Sequence, residues 1–133
     1  MEKLVFSQIA QRAYEFNIKG RKQGFAGLAD DIDAERIKNH DIFETGIKLI
    51  SEGVDCENIN KILTNKISME HDASLKQLKI IQKEAVLCIQ KKYNSWLLLN
   101  VLFSYTGENE KEETKKMLKN KIFTEYFSMY YEV

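Results

Sequence analysis

Residues 6–32, FSQIAQRAYEFNIKGRKQGFAGLADDI, and residues 41–67, DIFETGIKLISEGVDCENINKILTNKI, decide the fold. In the first, Leu4 or Val5, Ile9, Ala13, Phe16 and Gly20 recur every three to four positions, and Gly24, Gly27, Leu28 and Ile32 continue that side. This is the period of an α-helix with one apolar face, starting near Glu2. Each glycine costs a helix about 1 kcal/mol against alanine. Spaced four and three apart, Gly20, Gly24 and Gly27 would leave a bare stripe against which another helix fits closely. A break at Gly20 is the alternative. Arg21, Lys22, Gln23, Phe25, Ala26 and Leu28 are not turn formers, which favours continuity. The spacing is not that of a dinucleotide-binding loop, and no strand precedes it.

Working outward, Asp30, Asp31, Asp33 and Glu35 set carboxylates against the dipole at the helix C-terminus, so the helix ends here and residues 36–40 form the connection. A second helix is predicted over 41–52. Asp41 is its N-cap, with Glu44 placed as in a capping box, and Ile42, Phe43, Ile47, Leu49 and Ile50 face inward. Gly53 is positioned to end it in the left-handed conformation, and Asp55 to cap the next. From there Ile59, Ile62, Leu63, Ile67, His71, Leu75, Leu78, Ala85 and Ile89 keep a helical step with no stop signal before Asn94. The pattern predicts one long central helix over about 56–93, roughly 55 Å in length, packed by the N- and C-terminal helices. His71 and Gln82 interrupt its stripe as polar residues of the kind that fix register.

Residues 95–105 are apolar on nearly every side, the mark of a buried helix. A turn at 106–109 leads to a last helix to about residue 130, acidic first and basic later, in agreement with its dipole. Its inner face is Met117, Leu118, Ile122, Tyr126, Phe127 and Tyr130, with the aromatic tail docked on the bundle. The reading is therefore an all-α single domain over 1–133 of about five helices, with 95–133 a C-terminal helical hairpin.

Composition agrees. The 133 residues include no proline, 44% are hydrophobic, and 20 Lys+Arg balance 20 Asp+Glu. Without proline, long helices are permitted. A neutral chain has no general attraction to nucleic acid or to an anionic membrane, so its charges act locally. The longest apolar run, 96–103, is far short of the ~20 residues that span a bilayer, and the N-terminus lacks a signal-peptide core. Cys56 and Cys88 read as a reduced, cytosolic pair.

No catalytic constellation stands out. His71 lies on an apolar stripe with no Cys or His at ligand spacing and reads as a structural histidine. His40 reads as solvated loop. The run Asp30, Asp31, Asp33, Glu35 lacks the glycine and spacing of a calcium loop. Cys56 sits near a helix N-terminus but has no recognisable base or resolving partner. No cofactor or metal is expected, and the chain reads as non-enzymatic.

Taken together in order and spacing, Arg21, Gly24 and Leu28, the acidic residues from Asp30, then Gly46, Leu49, Ile50, Gly53 and Asp55, then Ile59, Ile62, Leu63 and Ile67 resemble the cytoplasmic region of the flagellar stator protein MotA, of the MotA/TolQ/ExbB proton-channel family. The resemblance covers residues 6–70, about half the chain. The family's four membrane helices have no counterpart, so the resemblance implies the cytoplasmic half without a proton channel. In that family an Arg and a Glu on the first of these helices engage charged residues of the rotor protein. Arg21 stands at the Arg; Ala29 stands at the Glu, with Asp30 beside it. The resemblance implies a cytoplasmic, bacterial protein–protein interaction domain whose partner is a component of the flagellar motor. Its contact surface would be Arg21, Lys22, Asp30 and Asp31. Two alternatives stay open. One is a helical homodimeric scaffold of an unrelated pathway; the other is a small-ligand-binding bundle with its pocket around His71, Cys88 and Trp96.

Overall fold

A computed structural model describes residues 5–32 and 37–131, with side chains described through Lys119. Six α-helices follow in order: α1 (Phe6–Gln23), α2 (Asp41–Ser51), α3 (Cys56–Ile67), α4 (Ala73–Gln90), α5 (Ser95–Phe103) and α6 (Glu108–Tyr131), with a short 3-10 helix, Leu28–Asp31, after α1. The protein is all-α, and no strand occurs among the described residues. Expected positions Leu4, Asp33, Glu35, Ile122, Tyr126, Phe127 and Tyr130, and the docking of the tail, lie outside the described residues or side chains.

The helix at the centre is α4, which packs against α1, α2, α3 and α5, while α6 runs along α1 and α5. One core joins them: Ile9, Ala13 and Phe16 from α1, Phe43 and Ile47 from α2, Ile59 and Leu63 from α3, Val86 and Ile89 from α4, Leu98 and Leu102 from α5, and Leu118 from α6. Where α2 crosses α4, Gly46 lies against Val86; a Cβ built on Gly46 would stand 2.5 Å from both Val86 γ-carbons. The missing side chain is what lets the two helices approach.

The first helix does not run through its glycines. It stops at Gln23, and Gly24 takes φ 82° and ψ −179°. That region of backbone space is essentially open to glycine alone. Gly27 follows at φ 80°. The break thus falls four residues after Gly20. The glycines reverse the chain, so that Leu28 and Ile32 return to the core. Gly20 alone serves close packing, and against a side chain rather than a helix: the Phe25 ring lies 3.1 Å from where its Cβ would be.

The predicted long helix over 56–93 is two helices. After α3 the chain tightens, Met69 N–H donating to Lys66 O and Glu70 N–H to Ile67 O. Asp72 then caps α4, its carboxylate accepting from Leu75 N–H at 3.0 Å. The physical reason lies in α3. Its stripe of Ile59, Leu63 and Ile67 is buried, and a straight helix would carry that stripe away from any cover. Folding back lets α3 bury it on α2 and α4.

Two helix ends share one device. At α2, Gly53 (φ 81°) donates to Ile50 O and Val54 to Leu49 O, the paired bonds of a Schellman cap. At α4 the same pair runs from Lys92 to Ile89 O and from Tyr93 to Cys88 O, with Lys92 itself at φ 60°. Asp55 caps α3 as expected, accepting from Asn58 N–H at 3.2 Å. Asp41 does not cap α2: it is the first helical residue, and the N-cap is His40.

Candidate functional site

The charged residues singled out in the sequence fall on the turn after α1. Arg21 and Lys22 close α1 and are exposed; Asp30 and Asp31, on the 3-10 helix, are exposed too. The turn is held from below by buried Leu28 and Ile32 and from the side by Ser51, whose Oγ accepts from Ala29 N–H at 3.0 Å. Asp31 is drawn back onto α1 by an ion pair with Lys19. Lys22, three residues on from Lys19, shares that side of the helix, whereas Arg21 faces away from it. Both signs of charge therefore sit on one exposed corner.

A second polar cluster, inside the fold, was not anticipated. Arg12 is 3% exposed and His40 is fully buried. Arg12 Nη1 lies 3.0 Å from His40 Nδ1. The guanidinium always carries its proton, so it donates, His40 Nδ1 accepts, and the imidazole proton belongs on Nε2. The Arg12 guanidinium also lies over two rings that touch each other, 5.4 Å from the Phe43 centroid and 5.8 Å from that of Phe16. Burial, and after it the Arg12 charge, lower the His40 pKa from 6.5 to about 4, with Asp41 opposing. Beside this pair Gln82 spans α2 and its connection, accepting from Phe43 N–H at 2.9 Å and donating to Asn39 O at 2.8 Å. On the rim Lys79 Nζ reaches Glu70 at 3.0 Å and Asp41 at 3.5 Å. Four side chains, Arg12, His40, Gln82 and Lys79, thus fix the start of α2 against α1 and α4. The contacts they make within the fold are positional.

The expectation of a solvated His40 is thereby corrected. A signal for it existed: Arg12 stands three residues after Ile9 and four before Phe16, a charge on the apolar stripe. His71 is the reverse case, exposed in the 68–72 connection. Cys88 is buried, its thiol pushed up to about 11 mainly by that burial and further by Glu84. Trp96, expected in a fully buried helix, is 40% exposed. His71 precedes α4 and Cys88 lies fifteen residues into it, about 22 Å along the axis, so His71, Cys88 and Trp96 form no common pocket. Both cysteines are free thiols. Among the described residues no three His, Cys, Asp or Glu side chains converge where a metal ion could bind.

Comparison with protein-family models, curated proteins and solved structures yields no match to this chain.

Proposed function

We propose that this chain is a non-enzymatic protein–protein interaction domain whose contact face is the turn bearing Arg21, Lys22, Asp30 and Asp31. The observation that supports this reading is an exposed, mixed-charge corner tied to the bundle by specific contacts. Gly24 and Gly27 reverse the chain, Ser51 and the Lys19–Asp31 pair tie it down, and four charged side chains stay at the surface. A surface held in one conformation loses little entropy on binding, and opposite charges side by side select a partner with the complementary pattern. The resemblance of residues 6–70 to the MotA cytoplasmic region suggests which partner: a component of the flagellar motor on its cytoplasmic side. No helix among the described residues is long and apolar enough to cross a membrane.

The test is charge reversal on both halves of the corner, Arg21→Glu with Asp30→Lys, in a pulldown against the purified rotor protein. Circular dichroism should show an unchanged fold. Binding is expected to fall at least tenfold and to recover with a rotor variant carrying the opposite reversal. Unchanged binding by a folded variant would refute the reading.

A further inference from the structure

Among the described residues α4 and α6 both pack on α1 and α5 but not on each other. Between them lies a groove of about 500 Å³. Its floor is apolar, with Phe6, Leu78 and Ile81, and its only charged lining residues are Glu110 and Glu113. Both carboxylates are exposed; the acid of this stretch that enters an ion pair is Glu112, 4.0 Å from Lys115. The groove is thus an apolar slot with one acidic wall.

α3 presents the opposite pattern. Ile59, Leu63 and Ile67 are buried in the core. On its other side stand Ile62, 38% exposed, and Met69, just past the helix end and 76% exposed, about two turns apart. Lys61 and Lys66, both exposed, flank them, and no carboxylate occurs from Asn58 to Met69. A single exposed apolar side chain is ordinary. Two on one ridge, bordered by cations, match the groove in polarity and in charge. Ridge and groove lie on opposite flanks of α4. Lys79 and Lys83 reach towards α3 and its connection, to Glu70 at 3.0 Å and to Thr64 Oγ1 at 3.2 Å. At about 100° per residue, Gln77 and Ile81 point the other way, so one copy cannot lay its own ridge in its own groove.

We propose that the chain self-associates side by side, the Ile62–Met69 ridge of one copy lying in the Phe6–Leu78–Ile81 groove of the next, with Lys61 and Lys66 beside Glu110 and Glu113. The contact is a helix laid into a groove. Met69 suits it, since a flexible thioether fills an irregular recess. With ridge and groove on opposite flanks the contact is heterologous, so it leaves one of each free and can propagate. It uses none of Arg21, Lys22, Asp30 or Asp31 and is separate from the charged corner after α1. Its charge component makes it sensitive to salt.

In low-salt buffer the wild-type chain is expected to associate with rising concentration, up to about 0.5 mM, by sedimentation equilibrium. The NMR signal of the Met69 methyl should shift in step, and salt should reverse both. Two variants separate the halves. Ile62→Ser/Met69→Ser removes the ridge and keeps the groove; Glu110→Lys/Glu113→Lys turns the groove against Lys61 and Lys66 and keeps the ridge. All four positions are exposed, and circular dichroism should show both variants folded. Each alone should be monomeric. An equimolar mixture should give a 1:1 complex that stops at two copies, because only the intact ridge of one variant and the intact groove of the other are compatible. A wild-type chain that stays monomeric throughout would overturn the proposal. So would association that survives in either variant alone, or a mixture of the two that remains monomeric.

Discussion

Replacing Gly46 with alanine tests the packing that sets the bundle's geometry. In an exposed helix the change should stabilise by about 1 kcal/mol, since glycine is the poorer helix former. Here the new methyl meets both Val86 γ-carbons at 2.5 Å and its Cβ at 3.0 Å, against the 3.5–4.0 Å at which carbon atoms rest. Val86 is fully buried, and a β-branched side chain in a helix has essentially one rotamer, so it cannot turn aside. α2 and α4 must separate by roughly 1 Å, and Ile42, Phe43 and Ile47 lose contact with the core. Overpacking costs about 1–3 kcal/mol; with two carbons colliding, the upper figure applies. The net loss is then about 2 kcal/mol, a fall in Tm of about 6–8 °C for a domain of this size. Urea unfolding followed by far-UV circular dichroism would read it as a lower midpoint with an unchanged slope. The sharper measurement is a double-mutant cycle with Val86→Ala, which removes the colliding methyls. The double variant should be at least 1.5 kcal/mol more stable than the sum of the single effects. A Gly46→Ala variant more stable than wild type, or a coupling energy near zero, would refute the proposed close approach.

Three further outcomes follow from the geometry. His40 has a folded pKa of about 4 against 6.5 unfolded, so the unfolded chain binds the extra proton between those values. Stability is then complete above pH 6.5 and falls by about 3 kcal/mol as pH drops to 4; a His40→Gln variant should lack this component, and parallel pH profiles for the two proteins would contradict it. Gly24→Ala should cost about 1–3 kcal/mol although no atom lies within 4 Å of the added Cβ, because the backbone angles alone exclude it; a thermal melt suffices as the check. Gln82→Leu should cost about 2–4 kcal/mol by leaving Phe43 N–H and Asn39 C=O without their partner, and hydrogen exchange should accelerate first at the start of α2.

What could be read from the chain depended on whether the signal was local. The apolar periods of 6–23 and 41–51, the left-handed Gly53 and the Asp55 cap were legible because each is a short-range preference. Two boundaries were obscured by the same kind of preference. Lys92 occupies a left-handed position that glycine usually marks, so the visible sign was Asn94, the cap of α5, and the end of α4 at Gln90 was read about three residues late. Asp72 lay inside an unbroken helical period, and only the need of Ile59, Leu63 and Ile67 for cover makes it a cap. The glycines at 20, 24 and 27 were visible but ambiguous, since spacing alone does not separate a packing stripe from a reversal. The charges of Arg21, Lys22, Asp30 and Asp31 were plain in the sequence, and the structure adds that all four are exposed around one turn. The Arg12–His40 contact could not, because its members are 28 positions apart and a histidine in a loop is ordinarily hydrated. Gln82 stood out as a polar break in the α4 stripe, although the groups it satisfies belong to another helix.

The partners of α1 have a bearing on how the chain is made. Apart from Phe16, which meets Phe43 of α2 edge to face, the first helix packs chiefly on α4, α5 and α6, all of which leave the ribosome at least fifty residues later. At 5–20 residues per second, it waits several seconds with most of its apolar side bare, while α2 and α3, neighbours in sequence, can already close on each other. A nascent chain halted before α4 would therefore present an open hydrophobic strip to chaperones, and release from them should coincide with synthesis of the fourth helix.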